Sequence, residues 1–107
     1  MGDGPARVFV FFGVAVSDTE DSGYPVGERH RVAAFGRGHE VDFAAERAAG
    51  HLLDAGWTDV RFDEGDEVDP VRMAAADKEI VATWKDCERD GSSGIVFADV
   101  VEDGSEE

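Results

Sequence analysis

From Arg7 to Val16 the chain reads RVFVFFGVAV, apolar on both of its alternating faces. Val8, Val10, Phe12, Val14 and Val16 fall on one side of an extended chain, and Phe9, Phe11, Gly13 and Ala15 on the other. A strand of this kind needs cover on both sides, which predicts an internal position in a sheet. Polar residues follow, with Gly23 and Pro25 as turn signals, and then a second strand over residues 28–37, expected to run antiparallel to the first.

The period changes after Gly38. Val41, Ala44, Ala45, Ala48, Leu52 and Ala55 recur at helical spacing, with Asp42 as a candidate cap and Gly56 as the stop. Residues 57–62 read as a third strand and 63–68 as an acidic loop. Asp69-Pro70 then opens a second helix that runs to about Arg89, with Met73, Ala74, Ile80, Val81, Trp84 and Cys87 on its apolar stripe. Gly91 and Gly94 bracket its exit, and residues 95–101 form the last strand. The expected flexible ends are 1–6 and 102–107.

The order is ββαβαβ in a single domain spanning 1–107. It predicts a two-layer α+β sandwich: a four-stranded mixed sheet, two right-handed parallel crossovers, and both helices on one face. The other face would then carry Phe9 and Phe11, or else Phe12, in the open. That predicts a homodimer or partner contact there.

Charge adds a second theme. Acids outnumber bases 25 to 10, giving a formal net charge of −15, which opposes direct binding to nucleic acid or anionic membranes and favours a basic protein partner. Acidity with few lysines also suits a salt-adapted proteome, where it would serve solubility alone. Fourteen of the 25 acids lie in 17–28, 63–69 and 99–107, so the charge is concentrated. If the crossovers are parallel, the 63–69 loop and the tail meet at one end of the sheet. Asp63, Glu64, Asp66, Glu67, Glu102 and Asp103 are therefore the candidate partner contacts. Arg29, Arg31 and Arg37, spaced by even numbers, share one face of the second strand.

Catalytic and metal chemistry find little support. His30, His39 and His51 form no zinc spacing, and Cys87 stands alone on an apolar stripe, where an inert core role fits. The frame from Asp18 has Arg29 where a calcium loop requires Glu, and the frame from Asp63 has Val68 where it requires Gly. No serine lies in a nucleophile elbow. Helical spacing sets Asp77 near Met73, Ile80, Val81 and Trp84, which leaves two readings: a half-buried acid with a raised pKa, or, the one favoured, a residue at the edge of the stripe bonded to a neighbouring loop. No cofactor is expected, nor an internal disulfide. The absence of an apolar run of the ~20 residues needed to span a bilayer, with one cysteine, fits a cytoplasmic protein.

Two functions follow. The first is a non-enzymatic acidic protein that occupies a basic surface of its partner, as inhibitors of the DNA-mimic, anti-restriction, anti-CRISPR and toxin-immunity classes do. The second is a small ligand-binding domain or enzyme from a salt-adapted organism. Its anion site would lie at Gly36, Arg37, Gly38 and His39, where glycines and a base sit between a strand and a helix.

Overall fold

The computed structural model describes residues 7–101. Four strands, β1 (Arg7–Ser17), β2 (Arg29–Gly38), β3 (Trp57–Glu67) and β4 (Ser92–Val100), form one sheet in the order β3-β1-β2-β4. The α+β sandwich and the internal position of β1 agree with the reading from sequence. The pairing directions differ from it. All three neighbouring pairs are antiparallel, so the sheet is not mixed. β2 and β3 do run the same way, joined through α1 (Val41–Asp54), but β1 lies between them.

The helices also differ. α1 packs Ala44, Ala48 and Leu52 against Phe9, Phe11, Ala15, Val32 and Ala34. α2 (Pro70–Met73) and α3 (Lys78–Asp90) place Met73, Ile80, Trp84 and Cys87 against Val8, Val10 and Phe35. These residue sets alternate along β1 and β2, so α1 and α3 cover opposite faces. The two-sided apolar pattern of β1 is the physical reason: both faces lose water only if each receives a helix. Trp57 lies in the α1 cluster and Trp84, on α3 itself, packs on the α3 cluster, one indole in each layer.

The α1 layer lies very close to the sheet. An added Cβ at Gly36 would lie 2.0 Å from the Ala44 carbonyl oxygen, so only glycine lets this helix approach β2. α1 starts after Glu40, whose side chain makes no cap bond, with Asp42 inside the first turn. It ends through Gly56 at φ 98°.

The second helix is two helices. Asp69 caps α2 by accepting from the Val71 N–H at 3.0 Å, as expected. The chain then loosens into turns over Ala74–Ala76, whose last two N–H groups donate to the carbonyls three residues back, despite the helix propensity of alanine. It restarts at Asp77, whose ψ of 150° resets the direction for α3. Asp77 is thus an exposed residue at the helix start, not a half-buried one on the stripe. Gly91, at φ 98°, closes α3 with its N–H on the Cys87 carbonyl.

Candidate functional site

The acidic segment 63–67 is the end of a strand. β3 continues through it to Glu67, pairing Glu64 with Phe12, Gly65 with Phe11, Asp66 with Val10 and Glu67 with Phe9. Four acids and a glycine have poor β-propensity. They are held extended because β1 otherwise offers an unpaired row of backbone groups along a buried apolar strand. The register slips between Phe12 and Gly13, which makes Asp63 an extra residue on β3. β3 lies at the edge of the sheet, and Asp63, Glu64, Asp66 and Glu67 are all exposed.

Only one of these four is neutralised among the described residues. The Arg7 guanidinium meets Glu67 at 3.1 Å and also donates to the His39 carbonyl at 2.6 Å. Open grooves flank the acidic end on both faces. On the α1 side, a groove of about 280 Å³ has Asp42, Asp63 and Glu64 along it, with Phe11, Phe62 and Ala45 among its apolar lining. On the α3 side, a groove of about 330 Å³ is lined by Asp66, Glu67 and Asp69, by Arg72, and by Val10 and Met73. Asp42 was legible only as a capping candidate. Its place beside Asp63 depends on how α1 lies over β3, which no local spacing encodes.

Glu102 and Asp103 lie outside the described residues. The parallel strand pairing on which the expected meeting of the tail with this segment depended is corrected by the topology. β3 ends opposite Phe9, whereas the last residues of β4 lie beside His30, opposite Ala15, at the other end of β1.

Phe9 and Phe11 are 6% and 4% exposed beneath α1, so the surface assigned to them does not exist. The other residue named for that role, Phe12, is the open one at 43%.

The Gly36–His39 segment is not shaped as an anion cradle. Gly36 serves close helix contact, and an added Cβ at Gly38 would meet the Phe43 ring at 2.8 Å. The Arg37 N–H donates to the Gly91 carbonyl at 3.0 Å, and its guanidinium donates to the Glu88 carbonyl, so both groups bind the end of α3. His39 is exposed beside Glu40 and Phe43.

Arg29, Arg31 and Arg37 do share a face, opposite Val16, Val14 and Val8. Arg29 meets Asp59 at 3.0 Å, and so does Arg61 from β3. Their hydrogen bonds hold the Asp59 carboxyl below its ordinary value. Asp59 takes a left-handed backbone (φ 48°) at the second irregularity of the β1–β3 pairing.

His30 is fully buried. Its Nδ1 donates to the Phe97 carbonyl at 2.8 Å, its Nε2 faces the Glu28 carboxylate at 3.1 Å, and its ring packs in a cluster with those of Tyr24 and Trp57. It ties β2 to β4 and to the loop before β2. Burial pushes the Cys87 thiol up to about 11, which suppresses the thiolate needed for nucleophilic or redox chemistry. No group of three or more His, Cys, Asp or Glu side chains is arranged to hold a metal ion among the described residues. Likewise, none of their helices is long and apolar enough to cross a membrane.

The most chemically distinct surface is thus an acidic strand edge between two apolar-floored grooves, and its likeness to other proteins gives no guide: no protein family, curated protein or solved structure matches this chain.

Proposed function

We propose that this protein is a non-enzymatic binding protein that sets the acidic end of β3 against a basic surface of another protein. Inhibitors of the DNA-mimic, anti-restriction, anti-CRISPR and toxin-immunity classes work in this general way. One observation carries the reading: Asp63, Glu64 and Asp66 make no ion pair among the described residues, yet stand on an exposed edge between two grooves with apolar floors. A Lys or Arg side chain has the matching form. Its aliphatic stem can lie along Phe11 and Phe62, or along Val10 and Met73, while its charged head meets the carboxylates. The free backbone groups of the edge strand offer further hydrogen bonds to an extended segment. Relief of acid–acid repulsion would favour the complex, and the field of a −15 protein would speed encounter at low salt.

The test begins with affinity capture from cells at low salt and continues as a titration of the captured basic protein. The Asp63→Lys/Glu64→Lys/Asp66→Lys variant leaves Glu67 and Asp69 in their structural roles. It should remain folded and bind at least tenfold more weakly, and wild-type affinity should fall steeply with salt. Undiminished binding by the folded triple variant would sink the reading.

A further inference from the structure

We infer that the outer edge of β3 takes up an extended segment of the basic partner as a fifth strand, and that this segment reads Lys or Arg, then a large apolar residue, then Lys or Arg. The inference rests on the acidic contact proposed above and names the kind of partner segment that fits it. The alternation of the ladder decides which backbone groups are free. The Val68 N–H donates to the Val8 carbonyl, and the register continues as Glu67 with Phe9, Asp66 with Val10, Gly65 with Phe11 and Glu64 with Phe12. Antiparallel strands bond at every second pair, so Asp66 and Glu64 turn their N–H and C=O groups inward to β1, while Gly65 and Glu67 turn theirs outward. β3 is an edge strand, and no described backbone group bonds to Gly65 or Glu67 from outside. An arriving strand therefore finds its hydrogen-bonding position at Gly65.

Side chains along the edge set the sequence of that strand. With one residue bonded opposite Gly65, its two neighbours lie opposite Glu64 and Asp66. These acids share the α3 side with Phe12 and Val10, are exposed, and make no ion pair among the described residues. A Lys or Arg directly across from each forms a cross-strand pair of opposite charge. The residue opposite Gly65 points to the α1 side. There the Phe11 ring, stacked on Phe62 at 5.3 Å, fills the place of the missing side chain: a Cβ at Gly65 would lie 2.5 Å from it. The groove of about 280 Å³ that these rings line, with Val41 and Ala45, borders the edge at this bare position. A large apolar side chain has the matching form, as an aromatic laid across a glycine of the next strand does.

Charge rejects a second copy at the same edge. Two β3 edges brought together would set Glu64 and Asp66 against the same acids of the other chain, and like charges directly opposite are destabilising. A basic segment instead relieves the repulsion between the two acids while it completes the ladder.

The probe is an acetylated, amidated peptide, Thr-Thr-Lys-Phe-Lys-Thr-Thr, titrated into the full chain by calorimetry at low salt. It should fill one saturable site per chain. Methylating the backbone nitrogen of its phenylalanine, which faces Gly65, should weaken binding at least tenfold. Methylating that of either lysine, which faces solvent, should change binding by less than about threefold. Replacing the phenylalanine with glycine should also cost at least tenfold. In the protein, bound peptide should slow amide hydrogen exchange at Gly65 and Glu67 and leave Glu64 and Asp66, already bonded to β1, as they were. No binding overturns the inference, and so does binding indifferent to where the methyl group stands. The two readings fail separately. If the triple lysine variant loses its captured partner while the methyl position has no effect, the acidic contact stands and the added strand is wrong. If that variant keeps its partner, the acidic contact itself fails and takes the added strand with it.

Discussion

The two faces of the sheet solve the same problem in different ways. Beneath α1, small residues dominate the contact: Ala44 and Ala48 meet a strand reduced to glycine at Gly36, and the helix backbone comes almost onto the sheet. Beneath α3, bulky Met73, Ile80 and Trp84 hold the helix further off, and part of the face stays open at Phe12 and Phe97. Close packing by small side chains tolerates no added atoms, whereas looser packing by large ones tolerates loss and leaves room for a visitor. The α1 layer behaves as the foundation of the fold, and the α3 face is where surface is left over.

The most severe way to break this comparison is to add bulk under α1. Gly36→Val drives a side chain into the Ala44 carbonyl, a backbone group that cannot swing aside. We expect a loss of more than about 4 kcal/mol, measured by urea denaturation, or no folded protein at all. A variant that melts like wild type would show that α1 is not seated as described.

Truncation should separate the layers less drastically. Leu52, 2% exposed under α1, should cost about 3 kcal/mol as Leu52→Ala, and half-buried Ile80 on α3 about half of that as Ile80→Ala. Equal losses, or the reverse order, would remove the distinction between the two layers.

The α3 layer carries a buried thiol against the sheet. Burial raises the Cys87 thiol from 9.0 to about 11, so its contribution to stability is intact below pH 9 and is lost as pH rises through 11. Unfolding free energy should therefore decline over that window in the wild type and decline less in Cys87→Ala. A thiol reagent at pH 8 should label Cys87 only as fast as the layer opens.

The smallest effect sits at the edge of the open part of the α3 face. Asp59 is held ionised by Arg29 and Arg61, so its contribution is present above the ordinary carboxylate range and lost as pH falls below that range, through the lowered native value. Asp59→Asn removes the charge but keeps a residue suited to φ 48°, whereas Asp59→Ala also strains the backbone. The melting temperature should drop slightly for Asn and further for Ala.

How much of this could be seen in the chain itself follows from how local each cause is. The central role of β1 was legible from its two apolar faces, and α1 from the spacing of Ala44, Ala48 and Leu52. Strand order was not, because antiparallel placement of β3 beside β1 depends on which edge is free when α1 has crossed. The same two-sided pattern of β1 argued for a helix on each face, against the single-face arrangement that the crossovers implied. The acidic end of β3 read as a loop for a sound reason: Asp63, Glu64, Gly65, Asp66 and Glu67 have little tendency to extend alone. Their strand character is lent by β1. The acids themselves were visible, but the grooves beside them come from helices distant in sequence. Phe12 was named as an alternative to Phe9 and Phe11, and only the side taken by each helix could choose between them.

The placement of the two indoles gives the molecule a built-in optical readout. Trp57 is 3% exposed in the α1 layer with the His30 ring edge-on at 5.6 Å, while Trp84 belongs to the α3 layer, where its buried indole N–H has no hydrogen-bond partner among the described residues. The two chromophores therefore sit in unlike surroundings, and a single-tryptophan protein made by Trp84→Phe or Trp57→Phe emits from one layer alone. Comparing their emission during stopped-flow unfolding would show whether the layers part together or in sequence, with no label added to either.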